Sequence, residues 1–421
     1  MIGPDEDSRR RKWQSGRLGP LAGRNFRYFY IGYTTSLLGT SMSSVAIAFA
    51  VLNSGGTPTT LGIVFTANIV PQIAFMLGGG VLADRLGRRQ VMLTADAARC
   101  VAQGVLAVTL FLGNPHIWLF IGAAFVVGTG NAFFSPALYG LTVQLAPRDQ
   151  IGNANALFSM AQPAAQIAGP SLAGILIAAT NPAVAIAADA GSYAVSALAL
   201  ALLSFPGSDD TRRQRRRLLR DMADGWAEFA GRTWLWVPTV QFAMFNLLTW
   251  GPYVVLGPVL AREYLGGARA WGLILGCYGG GAVIGGLLAL GRKPRRPLLV
   301  RTLATFGYAL PPLTLALHLP AVAVAGGTLL AGIGSALGGA ISTTVMQQRV
   351  PAEALSRVGA YNLVGSYAFG AVAYVAGGLA AEAFGARTVL GFGAAWTVFG
   401  TLVVLAVPAV RNLTWQEEDG K

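Results

Sequence analysis

Charge is scarce in this sequence. Only 12% of its 421 residues are Asp, Glu, Lys or Arg, while 54% are hydrophobic and the mean hydropathy is +0.54. A soluble domain carries about 25% charged residues. A chain with half that charge density cannot cover itself in water, which excludes an ordinary soluble globular protein and implies a bilayer around much of the surface. Cysteine and histidine are scarcer still: two of each. Cys100 and Cys277 lie in apolar segments in opposite halves, and His116 and His318 lie near short loops. Neither a disulfide framework nor a metal site is expected, because both need more ligands at closer spacing. No P-loop and no nucleophile elbow is present, and the glycines between Gly276 and Gly285 read as close helix packing rather than a phosphate cradle. The sequence therefore points away from an enzyme and calls for no cofactor; ATP-driven work would need a separate subunit.

What is present is a succession of apolar segments long enough to cross a bilayer, for which about 20 residues suffice. Twelve spans are predicted, at 26–52, 58–83, 90–112, 117–145, 151–179, 183–205, 233–261, 269–291, 297–318, 321–349, 355–383 and 387–408. Turn residues separate them: Asn53-Ser54-Gly55-Gly56, Gly113-Asn114-Pro115, Thr180-Asn181-Pro182 and Leu319-Pro320. Residues 1–24, with Arg9-Arg10-Arg11-Lys12, form a polar, basic tail rather than a cleavable signal. A bundle of six spans is expected over 25–205, a linker over 206–232, a second bundle over 233–410 and a short tail over 411–421. In the linker Leu218, Leu219, Met222, Trp226 and Phe229 recur at helical spacing, which predicts an amphipathic helix on the membrane face. Gly23-Arg24-Asn25-Phe26 and Gly231-Arg232-Thr233-Trp234 open the two bundles in the same way, so the halves read as parallel repeats.

The formal net charge of +13 suggests nucleic-acid binding only if the basic residues share a water-exposed face. They do not: they fall in short loops and one tail between apolar segments, so no nucleic-acid partner is expected. With the N-terminus in the cytoplasm, only Arg262, Arg269 and Arg387 lie in outer loops, Arg99 lies within a span, and the remaining Lys and Arg fall inside. That bias predicts an N-in, C-in topology.

The segment Gly80-Val81-Leu82-Ala83-Asp84-Arg85-Leu86-Gly87-Arg88-Arg89 joins spans two and three. Gly87 permits a reversal, the charges hold the turn out of the hydrocarbon, and an acid such as Asp84 is suited to the positive end of a neighbouring helix. The second half keeps Gly286, but Leu290 and Gly291 stand where Asp84 and Arg85 do, and Arg292, Lys293, Arg295 and Arg296 retain only charge. Span five carries Ala165-Gln166-Ile167-Ala168-Gly169-Pro170-Ser171-Leu172-Ala173-Gly174; the proline breaks a backbone bond and the small residues allow close helix contact. Span four carries Gly128-Thr129-Gly130-Asn131-Ala132-Phe133-Phe134-Ser135-Pro136-Ala137.

These segments resemble the major facilitator superfamily over nearly the whole chain, in particular its exporter branch of macrolide efflux proteins and the enterobactin exporter. The resemblance implies an all-α polytopic protein of the plasma membrane, with twelve transmembrane helices in two pseudo-symmetric six-helix bundles, N-in and C-in. It implies that Gly80, Asp84, Arg85, Gly87, Arg88 and Arg89 form a conformational latch, and that Gly169, Pro170 and Gly174 form an antiporter-like kink. Ala124 stands where many drug antiporters carry an arginine, so a proton relay through that position does not carry over.

Ionisable groups inside spans are costly and point to function. Asp96 and Arg99 share a face of span three, and Asp189 lies in span six without a basic residue in its own span. The three are a candidate charge network, with Asp189 the preferred proton carrier because Asp96 has Arg99 beside it; a purely structural Asp96–Arg99 pair is the alternative. In the resembled architecture spans one, four, seven and ten line the cavity, flanked by two and five. Tyr33, Thr40, Asn131, Ser135, Gln162, Gln166, Phe242, Asn246 and Tyr253 are the candidate lining residues, and no counter-charge is expected at mid-depth. The function expected is secondary export of a small, largely apolar molecule, coupled to protons, by a monomer. An uptake permease and a non-transporting sensor or scaffold on the same fold are the alternatives.

Overall fold

The computed structural model describes residues 19–113, 115–147, 150–203, 226–290, 294–367 and 369–415, without the side chains of 76–85, 136, 139, 140, 143, 152, 155, 156, 159, 352, 353, 355–357, 360 and 367. All regular structure among these residues is helical. The long helices are α1 (Arg24–Asn53), α2 (Pro58–Leu86), α3 (Arg88–Phe111), α4 (Ile117–Leu145), α5 (Ile151–Ala179) and α6 (Pro182–Ala201). They continue as α7 (Thr233–Leu265), α8 (Ala268–Ala289), α9 (Pro297–Ala316), α10 (Ala321–Arg349), α11 (Ala352–Tyr367, resuming over Gly370–Phe384) and α12 (Ala386–Ala406). Eleven of the described helices are long and apolar enough to cross a membrane, and α5, with Pro163 and Pro170 inside it, makes the twelfth long helix.

Local chemistry sets the boundaries. Gly87, at φ 90°, turns α2 into α3 with a backbone that a side chain would strain. Pro182 occupies the first turn of α6 while Asn181 Oδ1 accepts from the Val184 amide over 3.2 Å, a side-chain cap on an otherwise orphaned donor. α7 is not uniform: it contains π turns at Asn246–Trp250 and Ala261–Leu265. Pro252 lacks an amide hydrogen, so the backbone ladder of α7 is one donor short beside the carbonyl of Leu248. That carbonyl faces α12 at Gly393, where a Cβ would lie 2.6 Å from it.

The chain forms two compact units, residues 1–54 with 67–211, and 55–66 with 212–421. In the first, α6 packs on α1 and α3, α3 on α4, and α1 on α5. Phe29, Met92, Phe134, Leu141 and Leu200 form a buried cluster there. In the second, α8 packs closely on α10: a Cβ at Gly281 would lie 2.0 Å from the Leu329 carbonyl, and one at Gly332 would lie 2.0 Å from that of Tyr278. Backbones that approach so closely gain dispersion contacts that lipid cannot replace. The N-terminal end of α2 groups with this unit, where Thr66 Oγ1 donates to the Ala371 carbonyl over 2.8 Å and the Thr59 amide donates to Glu382 Oε1 over 3.3 Å. Of the amphipathic segment predicted in the linker, Leu218, Leu219 and Met222 lie outside the described residues; Trp226 meets Tyr361 edge-on and Phe229 packs against it at a tilt.

Candidate functional site

On α3 the residues Asp96, Arg99 and Gln103 follow at i, i+3 and i+7, so they share one face; on α6 Asp189, Ser192, Tyr193 and Ser196 do the same. The packing of α3 on α6 presses these faces together in the interior of the first unit. Arg99 is ion-paired with Asp96, and its Nη1 donates to Asn131 Oδ1 of α4 over 2.8 Å. Its guanidinium is sandwiched between two rings, 4.7 Å from the Phe134 centroid and 4.5 Å from that of Tyr193, where aromatic faces take over part of the role of water. Tyr193 in turn shares a 2.8 Å hydrogen bond with Thr40 of α1. The Gln103 amide donates to Ser43 Oγ over 3.0 Å and to Asp189 Oδ2 over 2.9 Å. Neither Asp96 nor Asp189 has any exposed surface, and Arg99 is 3% exposed.

Glycines make room for this cluster. A Cβ at Gly39 would fall 2.2 Å from Ser192 Oγ and 2.9 Å from Asp189 Oδ1, and one at Gly130 would fall 2.7 Å from Arg99 Cδ. The cluster holds two carboxylates and one guanidinium, and Asp96 Oδ2 and Asp189 Oδ1 have no hydrogen bond of good geometry, with only the hydroxyls of Ser196 beside Asp96 and of Ser43 and Ser192 beside Asp189 to soften the loss. Buried oxygens in that condition cost free energy unless something else supplies a hydrogen.

The structure thus brings Asp96, Arg99, Asp189, Thr40 and Asn131 together. Thr40 and Asn131, expected to line a cavity, are spent on Tyr193 and Arg99 instead, because a neutral polar group serves equally well to satisfy a buried neighbour. Of the other expected lining residues in this unit, Tyr33 packs edge-on against Phe158 at 5.0 Å, Ser135 is half-buried, and Gln162 and Gln166 are exposed on α5. Gly169 and Pro170 are buried against α1, where a Cβ at Gly169 would fall 2.4 Å from Ser41 Cβ; Gly174 is buried on the same helix. Of the latch residues, the side chains of Gly80, Asp84 and Arg85 lie outside the described ones. Gly87 makes the turn and Arg88 opens α3. Arg89 donates to the carbonyls of Leu200 and Ala201 over 2.8 and 2.6 Å, placing its charge at the negative end of α6.

The second unit contains a cavity of about 310 Å³. Trp234, Phe242 and Phe245 from α7, Tyr308 from α9, Met346 from α10 and Ser366 from α11 are among its walls. Phe242 lies where it was expected. Asn246 and Tyr253 do not line this cavity: Asn246 donates to the Phe242 and Ser366 carbonyls over 3.0 and 3.2 Å, and Tyr253 is fully buried, 3.4 Å from Thr328. For Tyr253 the π turn at Asn246–Trp250 is the reason, since it rotates the face that uninterrupted helical spacing would have kept in line with Phe242; Asn246 keeps helical register with Phe242 but is taken up by the two carbonyls.

Sequence reasoning missed Ser43, Gln103, Ser192 and Tyr193. Gln103 stands four residues after Arg99, and Ser192 and Tyr193 stand three and four after Asp189, so the helical face of each charged residue was the available signal. It also assigned Arg301 to the cytoplasmic basic residues, whereas this residue lies a full turn into α9 and lines the cavity.

Three comparisons bear on this architecture. The family profile of the Major Facilitator Superfamily matches residues 29–373. The chain is 24% identical to macrolide efflux protein A of Streptococcus pyogenes over 65% of its own length and 69% of that protein's. It is 27% identical to the multidrug efflux pump Tap of Mycobacterium bovis, over 68% and 71% respectively. In fold it is similar to the nucleoside transporter NupG (D323A mutant), with a TM-score of 0.71 at 11% identity, covering 90% of this chain and 98% of that one.

Proposed function

The chain belongs to the Major Facilitator Superfamily, a multi-pass transporter of the plasma membrane, and on that premise we propose that it exports small, largely apolar molecules, drugs or secondary metabolites, in exchange for protons by alternating access. Both termini are placed in the cytoplasm, following the one-sided distribution of Lys and Arg. The outward direction is supported by relatives named for efflux and by the Gly169-Pro170 segment in α5.

The observation that carries proton coupling is the buried cluster of α1, α3, α4 and α6. It contains two carboxylates against one guanidinium, and Asp189 has a glutamine amide for its hydrogen-bonded partner rather than a cation. The cluster is one positive charge short of neutrality, and a proton is a cation small enough to supply it where nothing larger fits. One proton moving down 100 mV is worth about 2.3 kcal/mol, enough to hold roughly a 50-fold gradient of a neutral substrate. The substrate class is supported by the aromatic and thioether walls of the cavity in the second unit, which favour an apolar body. Asp84 and its neighbours supply the latch that separates the conformations of the cycle.

Purified protein in lipid vesicles tests the reading. With protein oriented inside-out, radiolabelled erythromycin is expected to accumulate in an acidic lumen beyond the level in protein-free vesicles, which trap this weak base unaided, and the excess is expected to vanish when a protonophore collapses the gradient. Uptake that is indifferent to the pH gradient would remove proton coupling. Erythromycin that never accumulates, while hydrophilic solutes do, would remove the substrate class.

A further inference from the structure

The cavity in the second unit holds one charged side chain among its described walls, that of Arg301. Its stem runs along α10, with Cγ 3.4 Å from where a Cβ of Gly338 would stand, an ordinary van der Waals distance. Arg301 Nη1 is buried and makes no hydrogen bond, and the side chain has no salt bridge with any described residue. Among the described residues no Asp or Glu lines the cavity. The surrounding polar groups are neutral: Tyr308 from the same helix, and Ser335, which accepts a 2.9 Å hydrogen bond from Tyr278.

A guanidinium taken out of water is stable only when paired and hydrogen-bonded. Arg99 meets that requirement through Asp96, Asn131 and two rings. Arg301, half-buried, leaves its buried Nη1 without such a partner among the described residues, although it lies four residues into its helix and has a long stem with which to reach a carboxylate. The missing partner is therefore best supplied by what enters the cavity. A guanidinium presents parallel N–H donors that match a carboxylate bidentately, and one cation balances one negative charge. The aromatic walls suit the apolar remainder of such a molecule.

We propose that this cavity binds an apolar substrate by a singly charged carboxylate, with Arg301 as its counter-charge. The proposal rests on the exporter reading above and adds monoanionic amphiphiles to the substrates it covers.

The test compares naphthalene-1-acetate with naphthalene-1-acetamide, which share size and ring and differ in charge. Binding to the full-length protein in phosphatidylcholine nanodiscs is followed by quenching of tryptophan fluorescence, since Trp234 lines the same cavity. The wild type is expected to bind the acetate at least tenfold more tightly, about 1.4 kcal/mol. Arg301→Gln is expected to lose that preference and Arg301→Lys to keep part of it. Equal binding of both probes by the wild type, binding of neither, or a preference that survives Arg301→Gln would each overturn the proposal, and the first two need no variant to fold. An acetate that phosphatidylglycerol in the nanodisc displaces completely would assign the cavity to a lipid headgroup and also overturn it. Erythromycin export separates the two readings: if it persists while the acetate preference is absent, only the Arg301 anchor fails.

Discussion

Gln103 of α3 donates its amide to Asp189 of α6 over 2.9 Å, deep in the first unit, and the same nitrogen reaches Ser43 of α1 over 3.0 Å. One neutral side chain thus ties three helices to a carboxylate that has no cation hydrogen-bonded to it. If Asp189 is the proton carrier, its exchange for the isosteric amide should uncouple transport without unfolding the protein. Asp189→Asn is expected to express normally and to lose at least tenfold of the uptake driven by a pH gradient, measured in inside-out vesicles, while counterflow of erythromycin without a gradient continues. The sign follows from the direction of exchange: the gradient drives wild-type accumulation when the lumen is acidic and opposes it when the lumen is alkaline, and Asp189→Asn should respond to neither. Unchanged gradient dependence would return the proton to another group.

Space around that carboxylate is as specific as its charge. A methyl at Gly39 would fall 2.2 Å from Ser192 Oγ and 2.7 Å from Ser192 Cβ, atoms too close to the α6 backbone to swing away. Overpacking of this kind costs about 1–3 kcal/mol. Gly104, on α3 one residue beyond Gln103, has open space where its Cβ would be. Gly39→Ala is therefore expected to lower the melting temperature of the detergent-purified protein measurably, and Gly104→Ala to leave it unchanged or raise it, since alanine favours the helix by roughly 1 kcal/mol. Equal melting temperatures for the two variants would contradict the packing of α1 against α6.

Much of this arrangement was legible in the sequence. The span predicted at 117–145 is the helix Ile117–Leu145, because an apolar run bounded by Gly113-Asn114-Pro115 and Ala146-Pro147 leaves little freedom in where a helix can begin and end. Asp96, Arg99 and Asp189 stood out because a charge in hydrocarbon has few innocent explanations. The neutral partners did not stand out. Thr40, Asn131 and Asn246 were read as lining residues, yet whether such a group faces a cavity or a neighbouring helix depends on helix rotation, and a span that is apolar on most sides encodes rotation weakly. The π turns of α7 add a register shift that uniform helical spacing misses. Arg301 was obscured for the opposite reason: an arginine near a span end usually reaches for the membrane surface, and only the structure turns it along Gly338 into the cavity.

The segment from Gly80 to Arg89 leads to a kinetic prediction. Its second-half counterpart has Leu290 and Gly291 in place of Asp84 and Arg85, so no duplicate can take over if the first copy is impaired. Asp84→Asn keeps size and removes charge. It is expected to reduce the maximal export rate by at least tenfold while leaving protein yield and the affinity for naphthalene-1-acetate unchanged, as a fault in switching rather than in binding. Wild-type turnover in a well-expressed Asp84→Asn protein would remove the latch role.

The Asp96–Arg99 pair predicts an asymmetry in stability. Both residues are buried, Arg99 is held by Asn131 and two aromatic rings, and Asp96 relies on Arg99 for the hydrogen bond to its Oδ1. Removing one member of a buried pair leaves the other uncompensated, which costs about 3–5 kcal/mol, whereas replacing both with apolar residues of similar volume is often neutral. Arg99→Met should therefore destabilise strongly, because Asp96 is left as a bare carboxylate with no exposed surface. Asp96→Leu should destabilise less, since Asn131, Phe134 and Tyr193 still surround the guanidinium and Asp189 lies in the same cluster. The double variant Asp96→Leu with Arg99→Met should recover much of the loss, giving a coupling of about 1–3 kcal/mol in a double-mutant cycle. Thermal unfolding of the four proteins in one detergent measures this. The same four proteins, tested for gradient-driven export, separate packing from coupling. If the pair serves only to fix α3 against its neighbours, the stable double variant should still respond to the pH gradient through Asp189. If the pair takes part in proton movement, the double variant should be folded, bind substrate and fail to couple.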